Sequence, residues 1–435
     1  MTKRYRYFYL NNFIVLVKGT QKGALYDLIR GNVYSIDGRL ANIISDNYPK
    51  RIDEILQNGA SRGFSNPDLI EVCRNLNRLG VCHMADRQVY IDRCQEFLNP
   101  SLYNKHEKII LKRVLIQLTS ECNIACLFCN SAYWNQICFP CRRRVDRKES
   151  LDEGLVKYII DIVSLFGCES VNITGGNPFL WDGDIYSILN YLNHKKMRVE
   201  LFSNLNNSTD LINIKELKKI NNLTVVAPIF SIDTDLNDHI TGTKNSLNGF
   251  FKNVSYIIEN GVKLRIIIPA LTLNHQKIYE TKSYLIEKNL DFRDFHSLSL
   301  EYRTEDFIIN EGPYYISNSK FSRISFYDFY LRKNWNRCWS FECTITADGK
   351  VRPCLYSDYY FAQISKDSLI NLFRSRKLES LWKLSKDKVM ICKNCEFRYL
   401  CPDCRVVAKN ISGRFDAKYP FCSYNPKDGT WTFNS

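Results

Sequence analysis

The sequence predicts an α/β chain in three parts: a small winged-helix-like module, a partial (β/α)6 barrel and a Cys-rich C-terminal domain. Three observations lead there. Between residues 113 and 300, short apolar runs alternate with amphipathic helical patterns about six times, the signature of a parallel sheet curled toward a barrel. Ahead of it, three strand-like runs and then three helical patterns fit within the first hundred residues. Behind it, eight of the 17 Cys fall from Cys338 to Cys422, where regular periodicity fades. A chain of 435 residues is about three times the usual length of one domain.

Taken in order, FIVLVKG, ALYDLI and VYSID read as strands, with Arg30-Gly31-Asn32 turning between the last two. The helical patterns GRLANIISDNY, KRIDEILQNG and NPDLIEVCRNLNRLG follow, the last with Asn66 as cap and Pro67 in the first turn. This module occupies residues 1–105. From 106 to 305 the barrel pattern begins with the strand RVLIQLTS and the helix LDEGLVKYIIDIVSLFG, in which Leu155, Ile159, Ile162, Val163 and Phe166 recur at helical spacing. SVNITGG, RVELFSN, LTVVAPIFSID, KLRIIIPAL and FRDFHSLSL are the next strands. The helices IYSILNYLNHKK, IKELKKI, FFKNVSYIIENG and KIYETKSYLIEKN separate them. Residues 306–337, rich in aromatics, Asn and Ser, read as a connector, and 338–435 as a domain held by metal rather than by a large apolar core.

Composition narrows the function classes. Apolar residues make up 45% and charged residues 24%, against long disorder. No run approaches eighteen apolar residues, and the start MTKRYRYFYLNN has no signal-peptide apolar region. The expectation is a cytoplasmic protein with no membrane partner. Lys+Arg 60 against Asp+Glu 46 gives +14, spread without a basic block, which reads as a solvated basic surface and also suits an acidic peptide. The third helix of the module is acidic at its start and carries few Lys or Arg, so no nucleic-acid partner is expected.

The cysteines carry the chemistry. An odd 17 cannot all form disulfides, and in a reducing compartment dense Cys points to metal or catalysis. Directly after the first barrel strand stand Cys122, Cys126 and Cys129, a C-x3-C-x2-C spacing. Three close thiolates can hold three irons of a cubane and leave the fourth open; a zinc site would need a fourth ligand, for which Cys138 and Cys141 are at hand. In the tail, Cys338-x4-Cys343, Gly349-x4-Cys354, Cys392-x2-Cys395-x5-Cys401-x2-Cys404 and Cys422 follow; read alone, these also suit two four-cysteine zinc ribbons.

With this loop after strand one and Thr174-Gly175-Gly176-Asn177-Pro178 after strand two, the chain resembles the radical S-adenosylmethionine superfamily. The resemblance implies a TIM-like partial barrel and a [4Fe–4S] cluster on Cys122, Cys126 and Cys129, whose open iron chelates S-adenosylmethionine. One-electron cleavage of the sulfonium then gives a 5′-deoxyadenosyl radical, which takes a substrate hydrogen. It also implies cofactor contacts from Gly175, Gly176 and Asn177, where the family has Glu in place of Asn177. Further implied contacts are Ser203 and Asn204 after strand three, Ser231 and Asp233 after strand four, and Arg265 on strand five toward the methionine carboxylate. His239-Ile-Thr-Gly242 and Gly249 fit the same group. The tail resembles the SPASM extension, departing from it only by x2 rather than x3 before Cys404. By that pattern Cys338, Cys343, Cys354 and Cys404 hold one auxiliary [4Fe–4S] cluster, and Cys392, Cys395, Cys401 and Cys422 the other, making three clusters in all. Of the remaining Cys73, Cys82, Cys94, Cys138, Cys141 and Cys168, Cys73 and Cys168 read as small core residues. Cys138-Phe-Pro-Cys141 beside Arg142-Arg-Arg144 is open between a redox pair, a ligand pair and a plain loop.

The three-strand, three-helix module resembles the recognition element of enzymes that modify ribosomally made peptides, in which a leader peptide adds a strand to a sheet edge. Together the parts resemble radical peptide maturases: a precursor peptide as partner, an electron donor such as flavodoxin or ferredoxin, and a carbon–carbon, ether or thioether crosslink as product. The same chemistry would serve a sulfatase-type maturase or a radical dehydrogenase of a small molecule or sugar. A zinc-ribbon protein with a winged helix that binds nucleic acid is the reading from another class.

Overall fold

The computed structural model describes residues 5–44, 50–89, 110–129, 141, 148–206, 212–271, 273–295, 323–364 and 368–431. They fall into two compact units. One comprises Met1–His106, Ile316–Arg337 and Lys383–Ser435, the other Glu107–Tyr315 and Cys338–Trp382. This division differs from the four consecutive segments expected from the sequence, because the Cys-rich tail is shared between the units.

In the first unit, β1 (Tyr7–Leu10), β2 (Ile14–Lys18), β3 (Lys22–Asp27) and β4 (Val33–Asp37) precede α1 (Gly38–Ile44), β5 (Lys50–Arg51), α2 (Ile52–Ala60), α3 (Asn66–Arg78) and β6 (Cys82–Ala85). The expected hairpins β2–β3–β4 are antiparallel, and Gly31 takes the left-handed φ of +77° that the turn requires. A second sheet, ordered β5-β1-β6, was not expected; its strands are four residues or fewer, too short to show alternation. Ser65, not Asn66, caps α3, its hydroxyl accepting from the Asp68 N–H, and Asn66 is already helical.

β3 is buried on both faces because each meets a different core. Leu25 joins Ile14, Leu40, Ile43, Leu69 and Cys73 under the helices. Ala24 and Tyr26 face Phe329, Tyr330, Tyr399 and Leu400. Phe329 lies on α10 (Phe326–Asn334), a helix within the expected connector, and its ring stands 5.1 Å from Tyr26 and 5.0 Å from Tyr399. The aromatic content there serves packing, and edge-to-face pairs add to area burial.

In the second unit the strands are β7 (Arg113–Gln117), β8 (Ser170–Thr174), β9 (Arg198–Phe202), β10 (Leu223–Pro228), β11 (Leu264–Pro269) and β12 (Phe292–Phe295). All pair in parallel in sequence order, as the six-unit reading requires. The helices between them are α4 (Glu153–Leu165), α5 (Ile185–His194), α6 (Ile214–Lys218), α7 (Thr234–Thr241), α8 (Ser246–Glu259) and α9 (Ile278–Glu287). α7 was not expected from periodicity; Asp233 caps its start and Gly242, at φ +61°, ends it.

The sheet continues past β7. β13 (Glu342–Ile345) pairs with it in parallel, and β14 (Lys350–Arg352) and β15 (Ala362–Gln363) follow antiparallel, with α11 (Ser368–Arg374) and α12 (Glu379–Trp382) beyond. The Cys-rich segment is thus more regular than its sequence suggests, because its strands are short and completed by the barrel. The rest of the tail, α13 (Arg405–Ser412), β16 (Tyr424–Asn425) and β17 (Thr430–Trp431), belongs to the first unit. Among the described residues no helix is long and apolar enough to cross a membrane.

Candidate active site

β7 delivers the first cysteine loop to the C-terminal end of the barrel strands, where barrel sites gather. Two backbone clamps hold it. On one side the N–H groups of Gly176 and Asn177 donate to the carbonyls of Thr119 (2.9 Å) and Glu121 (2.6 Å). On the other, Ala125 and Leu127 donate to the carbonyls of Thr241 and Ile240 at the end of α7, both at 3.0 Å. Both approaches require glycine. A Cβ on Gly176 would stand 2.1 Å from the Glu121 carbonyl oxygen, and one on Gly242 would stand 2.5 Å from that of Ala125. The Gly-Gly motif therefore sets the position of the loop as well as lining it.

Between the clamps, Cys122, Cys126 and Cys129 pack with Ile124, Phe128, Phe202, Phe230 and Ile267. Cys141 joins them, and burial together with the nearby Cys129, Cys122 and Cys126 pushes its thiol well up. Cys138, Cys94 and residues 142–147 lie outside the described residues.

A polar network borders the thiols. Asn177, fully buried, donates to Oδ1 of Asn123 (3.0 Å) and of Asn204 (3.4 Å) and accepts from the Ser203 hydroxyl (3.1 Å). Asn204 donates to Asn123 (3.0 Å) and to Sγ of Cys122 (3.4 Å). The amide at the family's Glu position thus binds neighbouring amides that a carboxylate could not donate to. Asn123 was missed from the sequence; its only signal is a polar residue inside the Cys loop. Gly175 lies against the Thr119 carbonyl. Ser231 is buried and its hydroxyl accepts from the Asp233 N–H, while the Asp233 carboxylate is spent capping α7 through Leu236.

Arg265 is corrected. It is the second residue of β11, near the strand's N-terminal end, and its guanidinium pairs with Glu200 (2.9 Å) and Asp291 (3.7 Å). It is held away from the loop end of the barrel by two carboxylates, so it is not a group for a cofactor carboxylate.

The tail cysteines divide. Cys392, Cys395, Cys401 and Cys422 belong to the first unit and lie within electrostatic reach of one another. Burial pushes the Cys401 thiol up to about 12, against the pull of nearby Lys386. Lys386 and Arg405 both pair with buried Asp403, and both act on Cys392 and Cys401. Two cations beside four thiols suit an anionic cluster. Cys404 lies in the same unit, whereas Cys338, Cys343 and Cys354 lie in the other. Cys343 departs from its expected set. Strand alternation turns it with Ile345 away from Thr344, and the groups acting on its buried thiol are Cys168 and Glu342. Cys73 and Cys168 are buried as expected, and Cys82 packs on the Cys73 carbonyl.

The donor sets fit iron–sulfur clusters. The first loop offers three thiols in an apolar setting, and the tail offers four thiols with buried cations. A cubane ties each thiolate to its own iron.

Comparison with known proteins agrees. Residues 116–285 match the Radical SAM superfamily, and residues 338–396 match SPASM, an iron–sulfur cluster-binding domain. An AdoMet-dependent heme synthase of Nitratidesulfovibrio vulgaris is 21% identical over 73% of this chain and 93% of that protein. SuiB of Streptococcus suis, solved bound to its precursor peptide SuiA, aligns over 96% of this chain and all of its own at 17% identity, with a TM-score of 0.55. The enzyme anSMEcpe with bound AdoMet aligns over 73% of this chain and 90% of its own at 15% identity, with a TM-score of 0.51. The chain therefore carries a radical S-adenosylmethionine barrel joined to an SPASM iron–sulfur domain, and with them the cofactors and the radical chemistry of that superfamily.

Proposed function

We propose that the chain is a cytoplasmic peptide maturase that binds the leader of a ribosomally made precursor and crosslinks its core. The observation that carries this reading is the presence, in one chain, of a strand-and-helix module ahead of the barrel and SPASM domain, an order that SuiB matches along its full length. When bound, a reduced [4Fe–4S] cluster with S-adenosylmethionine supplies an adenosyl radical able to take a substrate hydrogen. Cys122, Cys126 and Cys129 hold that cluster. The carbonyls of Gly175 and Gly176, with Asn177, Ser203 and Asn204, orient the amino-acid end of the cofactor. Beyond Asn204 lies a cavity bordered by Ile124, Pro228, Phe230 and Leu247. Cys392, Cys395, Cys401 and Cys422 hold an auxiliary cluster.

The leader joins the edge of β4. Among the described residues β4 pairs only with β3. Bonds from Asp27 N–H to the Asn32 carbonyl and from Gly38 N–H to the Gln21 carbonyl fix the alternation, so Val33, Ser35 and Asp37 turn their backbone groups outward. An added strand would gain its affinity there from main-chain hydrogen bonds.

Replacing Cys122, Cys126 and Cys129 together by Ala abolishes 5′-deoxyadenosine production under strong reductant; continued production removes the mechanism. Co-expression with a neighbouring short reading frame should give a product lighter by two hydrogens. Ser35→Pro, which deletes one outward N–H without touching the β3 ladder, should weaken peptide binding and spare 5′-deoxyadenosine formation. The similarity to a heme synthase favours a second reading, in which the substrate is a small molecule rather than a peptide. Under it Ser35→Pro changes neither binding nor turnover.

A further inference from the structure

Cys141 stands at the first cluster loop without being part of it. It lines the same cavity as Cys122, Cys126 and Cys129, beside Gly176 and Asn204, and packs on the same apolar cluster. Its position is fixed from elsewhere in the unit, since the Tyr356 hydroxyl donates to its carbonyl at 3.1 Å. Four thiols thus share one site whose spacing motif accounts for three. A cubane has four irons, and three thiolates leave one without a protein ligand.

We propose that Cys141 is a reversible fourth ligand, bound to the open iron in the resting protein and displaced when S-adenosylmethionine arrives. The step is a ligand exchange. The iron–sulfur bond to Cys141 breaks, bonds form to the cofactor's carboxylate oxygen and to its amino nitrogen, and the proton that the ammonium gives up as it binds is balanced by the one that the released thiolate takes up. No electron changes hands. The inference rests on the cluster reading of the 122–129 loop. It assigns two effects to Cys141: it shields the labile iron from loss while the cofactor is absent, and it competes with the cofactor for that iron. If the cap is closed nine-tenths of the time, the apparent affinity for the cofactor is weakened roughly tenfold.

The test compares the native chain with Cys141→Ala and Cys141→Ser, all full length and reconstituted anaerobically. Each is treated with ferricyanide in the absence of S-adenosylmethionine, and the [3Fe–4S] electron paramagnetic resonance signal is integrated. The native chain should give a several-fold smaller signal than Cys141→Ala, and adding S-adenosylmethionine first should erase the difference. Cys141→Ala should also bind S-adenosylmethionine more tightly, by up to roughly tenfold. Equal signals and equal affinities overturn the proposal and leave Cys141 a wall residue. Cys141→Ser, with circular dichroism matched to the native chain, carries the comparison if the alanine variant misfolds. If even the native chain shows no cluster that responds to S-adenosylmethionine, the cluster reading of the loop falls as well, which is a distinct result.

Discussion

Gly242→Ala tests whether the end of α7 holds the cysteine loop in place. The substitution carries two costs. A non-glycine residue at φ +61° loses about 1 kcal/mol to the left-handed conformation. The new methyl also stands 2.5 Å from the Ala125 carbonyl oxygen, about 1 Å short of ordinary contact, so the loop must retreat. Retreat loosens the bonds from Ala125 to Thr241 and from Leu127 to Ile240, each worth about 1 kcal/mol. Gly261 is the control: its φ is +75° and a Cβ there meets nothing within 4 Å. Gly261→Ala should cost about 1 kcal/mol and leave iron content and cofactor binding unchanged. Gly242→Ala should cost about 3 kcal/mol. If the excess of about 2 kcal/mol falls on the loop, affinity for S-adenosylmethionine drops roughly thirtyfold. Denaturant midpoints, iron per chain and calorimetric titration measure the three quantities. Indistinguishable behaviour of the two variants would refute the clamp.

Three further outcomes follow from other contacts. Asn177→Asp should lose roughly 3 kcal/mol or more, because a carboxylate would face the Asn123 and Asn204 carbonyl oxygens with no proton to donate; an unchanged denaturant midpoint would count against the network. Tyr26→Phe removes a buried hydroxyl that donates to the Glu396 carbonyl at 2.8 Å and should cost about 1 kcal/mol by the same measurement. Asp348→Asn addresses the turn between β13 and β14. Burial would raise that carboxyl, but the Thr346 hydroxyl, Lys350 and Arg352 outweigh it and hold the group down to about 2, from an ordinary 3.8. The folded form therefore favours the ionised group. Its contribution, at most about 2 kcal/mol, is present above pH 3.8 and lost as pH falls through about 2. The stability gap between the native chain and Asp348→Asn should narrow over that window, and a gap independent of pH would refute the assignment.

The parts that were legible in the sequence are those whose physics is local. The barrel strands are continuous apolar runs because both faces are covered, and the cysteine spacings are short enough to read along the chain. What escaped depends on distant partners. β13 shows no pattern of its own because its ladder is completed by β7, more than two hundred residues away in sequence. Arg265 looked like a cofactor ligand because its strand was known but its depth was not; Glu200 and Asp291 settle the depth. Asp233 and Ser231 were placed at the correct strand end, yet their polar atoms serve α7 and its entry turn. Asn123 and Cys141 join the site only through the folded loop.

The seam between β7 and β13 has a bearing on ancestry and on engineering. An appendage joined by a flexible tether can be exchanged between relatives like a cartridge. Here Glu342–Ile345 is woven into the ladder whose next strand delivers the radical loop, so cutting the chain ahead of Cys338 would unravel an edge from Arg113 to Ile116 and invite it to pair with other molecules. Any transplant of the auxiliary segment onto a foreign barrel has to bring its own match for that edge.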